Sequence, residues 1–134
     1  MNANNKAFPL KHLIVMTATG EFDVNGSKVA LKAIADEPSF NAQTEVLLDL
    51  RDIDCQLSTT NIFDLAEHMA YPNPALDTNR KIAVLVSGHL CFDHARFFEL
   101  CARNRGVNVQ AFDEYEAADE WLYADLRPEP KENG

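Results

Sequence analysis

The sequence predicts an α/β domain: a mostly parallel sheet of four to five strands with helices between them. Short apolar, partly β-branched runs alternate along the chain with segments of helical period. Strands joined by helical crossovers must lie parallel, with right-handed connections. The length of 134 residues, with 46% hydrophobic and 25% charged residues, suits one globular core and excludes a largely disordered chain.

The first strand is Leu13 to Ala18, an apolar run too short for a buried helix and stopped by Gly20. A helix over Ser27 to Ala35 follows an Asn25-Gly26 turn signal, with Ala30, Ala33 and Ile34 on one face and Pro38 as its stop. Glu45 to Leu50 carries Val46, Leu47, Leu48 and Leu50 and reads as an interior strand. From Thr59 to Ala70, Ile62, Leu65, Ala66 and Met69 form an apolar stripe behind possible caps in Ser58-Thr59-Thr60. Pro72 and Pro74 end that helix and open a polar loop through Arg80.

Ile82 to Val86 is the third strand and stops at Ser87-Gly88. The helix expected from Asp93 to Arg105 has Asp93 as its N-cap, Ala95, Phe98 and Ala102 facing inward, and Gly106 as the C′ residue. Val107 to Phe112 alternates apolar and polar residues as an edge strand does. The last helix, Glu114 to Leu126, turns Ala118, Trp121 and Leu122 inward behind a capping box of Asp113 and Glu116. One domain over residues 9–126 is expected, with flexible termini at 1–8 and 127–134.

Twelve Lys and Arg against 21 Asp and Glu give a net charge of −9, a field that repels phosphate backbones, so no nucleic acid is expected as a partner. Much of the acid sits in the last helix and tail, where a solvated face is the ordinary reading. Cys55, Cys91 and Cys101 are odd in number and form no CxxC pair. A disulfide framework is therefore not indicated, and a reducing cytoplasm fits. Met1 to Lys11 is mostly polar, and the longest apolar run, Ile82 to Phe92, is about half a membrane span. Neither a signal peptide nor an integral membrane protein is expected.

In parallel sheets ligands bind beyond the carboxyl ends of the strands, so chemistry is sought in the loops there. His89, Cys91, Asp93 and His94 are metal-ligand types, but their spacing matches no closed site, and no metal or other cofactor is expected. Asp49, Asp52 and Asp54 resemble half of a phosphoacceptor receiver's acidic pocket, whose acid pair after the first strand is here Thr19-Gly20-Glu21. Cys55 or Cys91 with His89 as base, and Asp93 nearby, is the only enzymatic constellation to weigh, and packing is the ordinary role of such cysteines. GxSxG, dinucleotide and P-loop motifs are absent from the sequence. A non-enzymatic protein is the expectation.

The order of these segments resembles the STAS superfamily, and within it the SpoIIAA-like (anti-sigma-factor-antagonist-like) branch. The resemblance runs from Leu13 to Leu122 through Leu47-Leu48-Asp49-Leu50-Arg51 with Ile53, Ser58, Arg80 to Val86, Ala95-Arg96-Phe97-Phe98-Glu99, and Val109 to Asp113 with Trp121-Leu122. It implies a single-domain STAS/SpoIIAA-like fold. It also implies a docking or phosphoacceptor role for Ser58 at the helix start, although Leu57 and Thr60 stand where the family pattern has Asp and Gly.

Two functions follow as expectations. The first is a cytoplasmic regulatory or protein-interaction module with an unidentified protein partner, docking through Asp52, Asp54, Ser58 and Thr59. The alternative is a domain of CRAL-TRIO-like topology that binds a lipid or small apolar ligand in a cavity lined by Phe63, Phe97 and Phe98. A homodimer is expected through Phe97 and Leu100, because apolar residues extend around that helix beyond the stripe the sheet needs.

Overall fold

The computed structural model describes residues 1–70 and 80–124. Five strands lie side by side in chain order: β1 (Asn2–Phe8), β2 (Leu13–Glu21), β3 (Glu45–Asp54), β4 (Ile82–Leu85) and β5 (Val109–Phe112). The helices are α1 (Val24–Ala35), α2 (Thr59–Ala70), α3 (His89–Arg103) and α4 (Tyr115–Tyr123). β1 runs antiparallel to β2 and every later pair is parallel, so the sheet is mixed.

Chain-order pairing dictates the layers. Right-handed crossovers that always step to the next position put their helices on one face. The core there joins Ile14, Met16, Val46, Leu48, Ile82, Val84 and Val109 to Ala30, Leu31 and Ile34 of α1, Ala66 and Met69 of α2, and Ala95 and Ala102 of α3. The opposite face buries Leu13, Leu47, Ala83, Leu85 and Phe112 against Ala118 and Leu122 of α4. Because the strand order never reverses, the sheet lacks the switch-point crevice of doubly wound folds.

Several expectations are corrected. Residues 2–8, expected as a flexible end, form β1, paired from Asn2↔Thr19 to Phe8↔Leu13. Asn25-Gly26 is the first turn of α1 rather than a turn before it, since Asp23 is the N-cap and its carboxylate accepts from Asn25 N at 3.1 Å. α3 begins at His89 behind Gly88, which leaves Asp93 inside the helix and not at its cap. α4 starts at Tyr115 with Glu114 as N-cap and no side-chain capping bond, so the Asp113 and Glu116 box does not form. The polar loop expected after Pro72 and the tail at 127–134 lie outside the described residues.

Two features position the loop after β3. Between the pairs Thr17↔Asp49 and Thr19↔Asp52, β3 carries one residue more than β2, a bulge. The added residue flips the alternation, so Ile53 falls on the same buried face as Leu48. At the other end of the sheet the buried Arg80 donates from Nη1 to Asn41 O at 2.9 Å and to Thr44 O, with its guanidinium 4.1 Å from the Phe40 ring centroid. These contacts fasten the α1–β3 connection to the start of β4.

Candidate functional site

The bulged end of β3 continues as an alternating segment. Ile53 and Cys55 point inward and are buried, while Asp52, Asp54 and Gln56 are exposed. Leu57 is half-buried, and exposed Ser58 and Thr59 lead into α2. The acidic loop is thus an apolar comb beneath a polar rim.

Three attachments fix it. Cys55 is disulfide-bonded to Cys91 in the first turn of α3, with a Cα–Cα distance of 5.5 Å. His94, one turn further along α3, lies with Nε2 3.1 Å from Leu57 O and Nδ1 2.9 Å from Leu90 O. A carbonyl only accepts, so whichever ring nitrogen carries a hydrogen donates. Finally, Ser58 Oγ accepts from Asn61 N at 3.1 Å and Ser58 N donates to Asn61 Oδ1 at 3.2 Å, a reciprocal capping arrangement.

Beneath the loop, between the sheet and α1, α2 and α3, lies a cavity of about 80 Å³ whose lining is almost wholly apolar. Leu57, Cys55, Cys91, His94, Phe22 and Phe98 are among its walls. On the opposite face of the sheet, Asp49 and Arg51 form a two-pronged ion pair, Nε–Oδ1 2.9 Å and Nη2–Oδ2 2.8 Å. Hydrogen bonding to Arg51 holds the Asp49 carboxyl below its ordinary range. Arg51 also lies over the Tyr115 ring, 5.8 Å from its centroid.

Of the residues singled out in the sequence, Asp52, Asp54, Ser58 and Thr59 come together as exposed positions of one loop and helix start. Of the three cavity candidates, Phe98 lines the cavity. Phe63 is instead 45% exposed, beneath the Arg105 guanidinium at 4.3 Å, and Phe97 packs against the core cluster. Leu100 stands on the outer side of α3, 66% exposed.

The metal set is not assembled: Cys91 is in the disulfide, His94 faces two carbonyls, and no group of three or more His, Cys, Asp or Glu is gathered among the described residues. The receiver pocket is closed to a cation at Asp49, which is held by Arg51. The disulfide corrects the expectation that no disulfide framework is indicated, and it takes up both cysteines of the nucleophile constellation weighed against packing. Sequence reasoning missed this pairing. The signal for its position is the Ile53-x-Cys55-x-Leu57 alternation, which continues the strand pattern through the charged loop.

No family model matches the sequence, and no curated protein matches it. Among solved structures, the chain is similar to an uncharacterised DUF3478-family protein from Shewanella loihica PV-4, described as having a SpoIIAA-like fold. The match covers 90% of this chain and 92% of that one, with a TM-score of 0.53 and 14% sequence identity. The protein has a SpoIIAA-like fold. At that identity the likeness concerns architecture, and at that level the resemblance read from the sequence is borne out. In this SpoIIAA-like domain no described helix is long and apolar enough to cross a membrane.

Proposed function

We propose that the protein is a non-enzymatic interaction module of the SpoIIAA-like type, docking onto another protein through Asp52, Asp54, Ser58 and Thr59; the cytoplasmic location expected from unpaired cysteines loses its support with the Cys55–Cys91 disulfide. The observation that carries this reading is an exposed polar rim on a backbone already held at three points, by Cys55, Leu57 and Ser58. A preorganised loop loses little conformational entropy on binding. Asp52 and Asp54 favour a partner with a basic face. A phosphate on Ser58 would sit at the N-terminus of α2, where the helix dipole favours it, and by charge alone would strengthen docking onto a basic face.

The test is affinity purification with the wild type and with Asp52→Lys/Asp54→Lys. The expected result is a partner retained by the first and lost by the second, with unchanged circular dichroism. The same partner on both proteins would sink the reading.

The cavity favours a second reading, a small apolar ligand. Its volume is about half of the ~150 Å³ site that holds a benzene-sized guest. A short apolar group, such as the end of an acyl chain, fits without rearrangement. Native mass spectrometry after gentle purification would reveal such a guest as added mass, and Phe98→Trp should exclude it. We also propose a homodimer through the outer side of α3 at Leu100, with Phe97 supporting it from the core side.

A further inference from the structure

Cys55 and Cys91 are separated by 36 residues, yet their sulfurs meet where the loop after β3 crosses the start of α3. The two sulfurs are not equivalent. Cys55 is 8% exposed, whereas Cys91 is only partly buried. Cys91 also stands in the first turn of α3 behind Gly88, which has no side chain to cap the free backbone N–H groups of that turn. Such groups stabilise a thiolate, which makes Cys91 the better terminal leaving group.

We propose that the Cys55–Cys91 disulfide is a reversible redox site, opened by exchange with a dithiol at Cys91, the less buried of the two residues, and that opening it frees the loop from α3. A thiolate of the dithiol attacks Cys91 Sγ, forming a mixed disulfide and releasing Cys55 as a thiolate that takes up a proton. The second thiol of the reagent then attacks its own mixed-disulfide sulfur, displacing Cys91 as a thiolate. The dithiol leaves as a disulfide, two electrons have passed to the protein, and the Cys91 thiolate takes up the second proton, given up by the attacking thiol, to the extent that it is protonated at the working pH.

The consequence is local. Without the covalent tie, the loop is joined to α3 by the contact of His94 with Leu57 O. Both cysteines also line the cavity, so the same step loosens its wall. Cys101, ten residues further along α3 and buried, lies about 15 Å from Cys91 along the helix and stays outside the exchange. This chemistry stands whatever the loop docks onto.

The experiment uses the full chain in native buffer, with iodoacetamide as the thiol probe and mass spectrometry as the readout. After mild oxidation one thiol, Cys101, should react, and only on unfolding. After equilibration with dithiothreitol in native buffer, Cys91 should be alkylated about tenfold or more faster than Cys55. Amide exchange at Gln56 to Thr59 should speed up by about tenfold or more on reduction. Cys55→Ser/Cys91→Ser should show fast exchange under both conditions. If that variant fails to fold, Cys101→Ser, which keeps the pair, should show no reactive thiol after oxidation and still report the order of Cys91 and Cys55 alkylation and the faster amide exchange on reduction. Three reactive thiols after oxidation, a bond that yields to dithiothreitol only in denaturant, or equal labelling of Cys55 and Cys91 would each overturn the proposal.

Discussion

Ser58 joins fold and proposed function in one atom, since its Oγ accepts the Asn61 N–H that starts α2 and is also the exposed hydroxyl of the docking rim. Removing the cap should cost about 0.5–2 kcal/mol, so Ser58→Ala is expected to melt at lower denaturant, with Ser58→Asp losing less because it can still cap. Equal midpoints for Ala and wild type would count against the cap. His68 offers a pH readout. Burial, with Lys28 adding to it, lowers its affinity for a proton below the usual imidazole range, against an opposing pull from Asp64. A depressed folded value means that the contribution is present above about pH 6.5, the unfolded value, and is lost as pH falls toward the folded value. Denaturant midpoints should therefore drop from pH 7.5 to 5, and His68→Gln should flatten part of that slope.

Elements differ in how plainly the sequence announces them. The bounds of α2 are legible because a hydroxyl cap and the stripe Ile62, Leu65, Ala66, Met69 agree. β1 is not, because Asn2, Asn4, Asn5 and Lys6 offer no apolar alternation, and the strand is held by main-chain pairing to β2. The start of α3 is hidden for a related reason: Gly88 enters the helix with φ of 90°, a backbone conformation that supplies no side-chain oxygen to recognise. Its end is clear. Gly106, with φ of 85°, donates to Arg103 O while Val107 N reaches Ala102 O, the paired bonds of a Schellman motif. The exposed Leu100 on this helix gives the dimer proposal its test. Light scattering at tens of micromolar should report a dimer for the wild type and a monomer for Leu100→Glu, and a monomer for both would remove α3 as an interface.

At the scale of the whole molecule, the strand-helix rhythm and the SpoIIAA-like architecture are legible because β2, β3 and β4 each hold a run of three or four consecutive apolar residues. The site is half legible. Local signals mark Asp52, Asp54 and Ser58, but the Cys55–Cys91 contact spans 36 residues and two elements, which no local window contains. Closing a loop of that length restricts the unfolded chain, so Cys55→Ser/Cys91→Ser is expected to cost about 3–4 kcal/mol against the oxidised protein in urea melts. Reduced wild type should fall close to the variant. A difference of under about 1 kcal/mol between oxidised protein and variant would show that the crosslink constrains little.

The chain-order sheet also bears on how the molecule is made. Each strand from β2 onward pairs with the one before it, so during synthesis every emerging strand finds its neighbour already outside the ribosome. No strand has to be inserted between two others. β1 and β2, separated by the short turn at Pro9–Lys11, form the first template, and each helix covers the sheet as the next strand arrives. The exception is the tie between Cys55 and Cys91, which must wait until α3 has been translated. The covalent lock therefore closes on a sheet that has already grown past β3 to β4, with β5 and α4 still to follow.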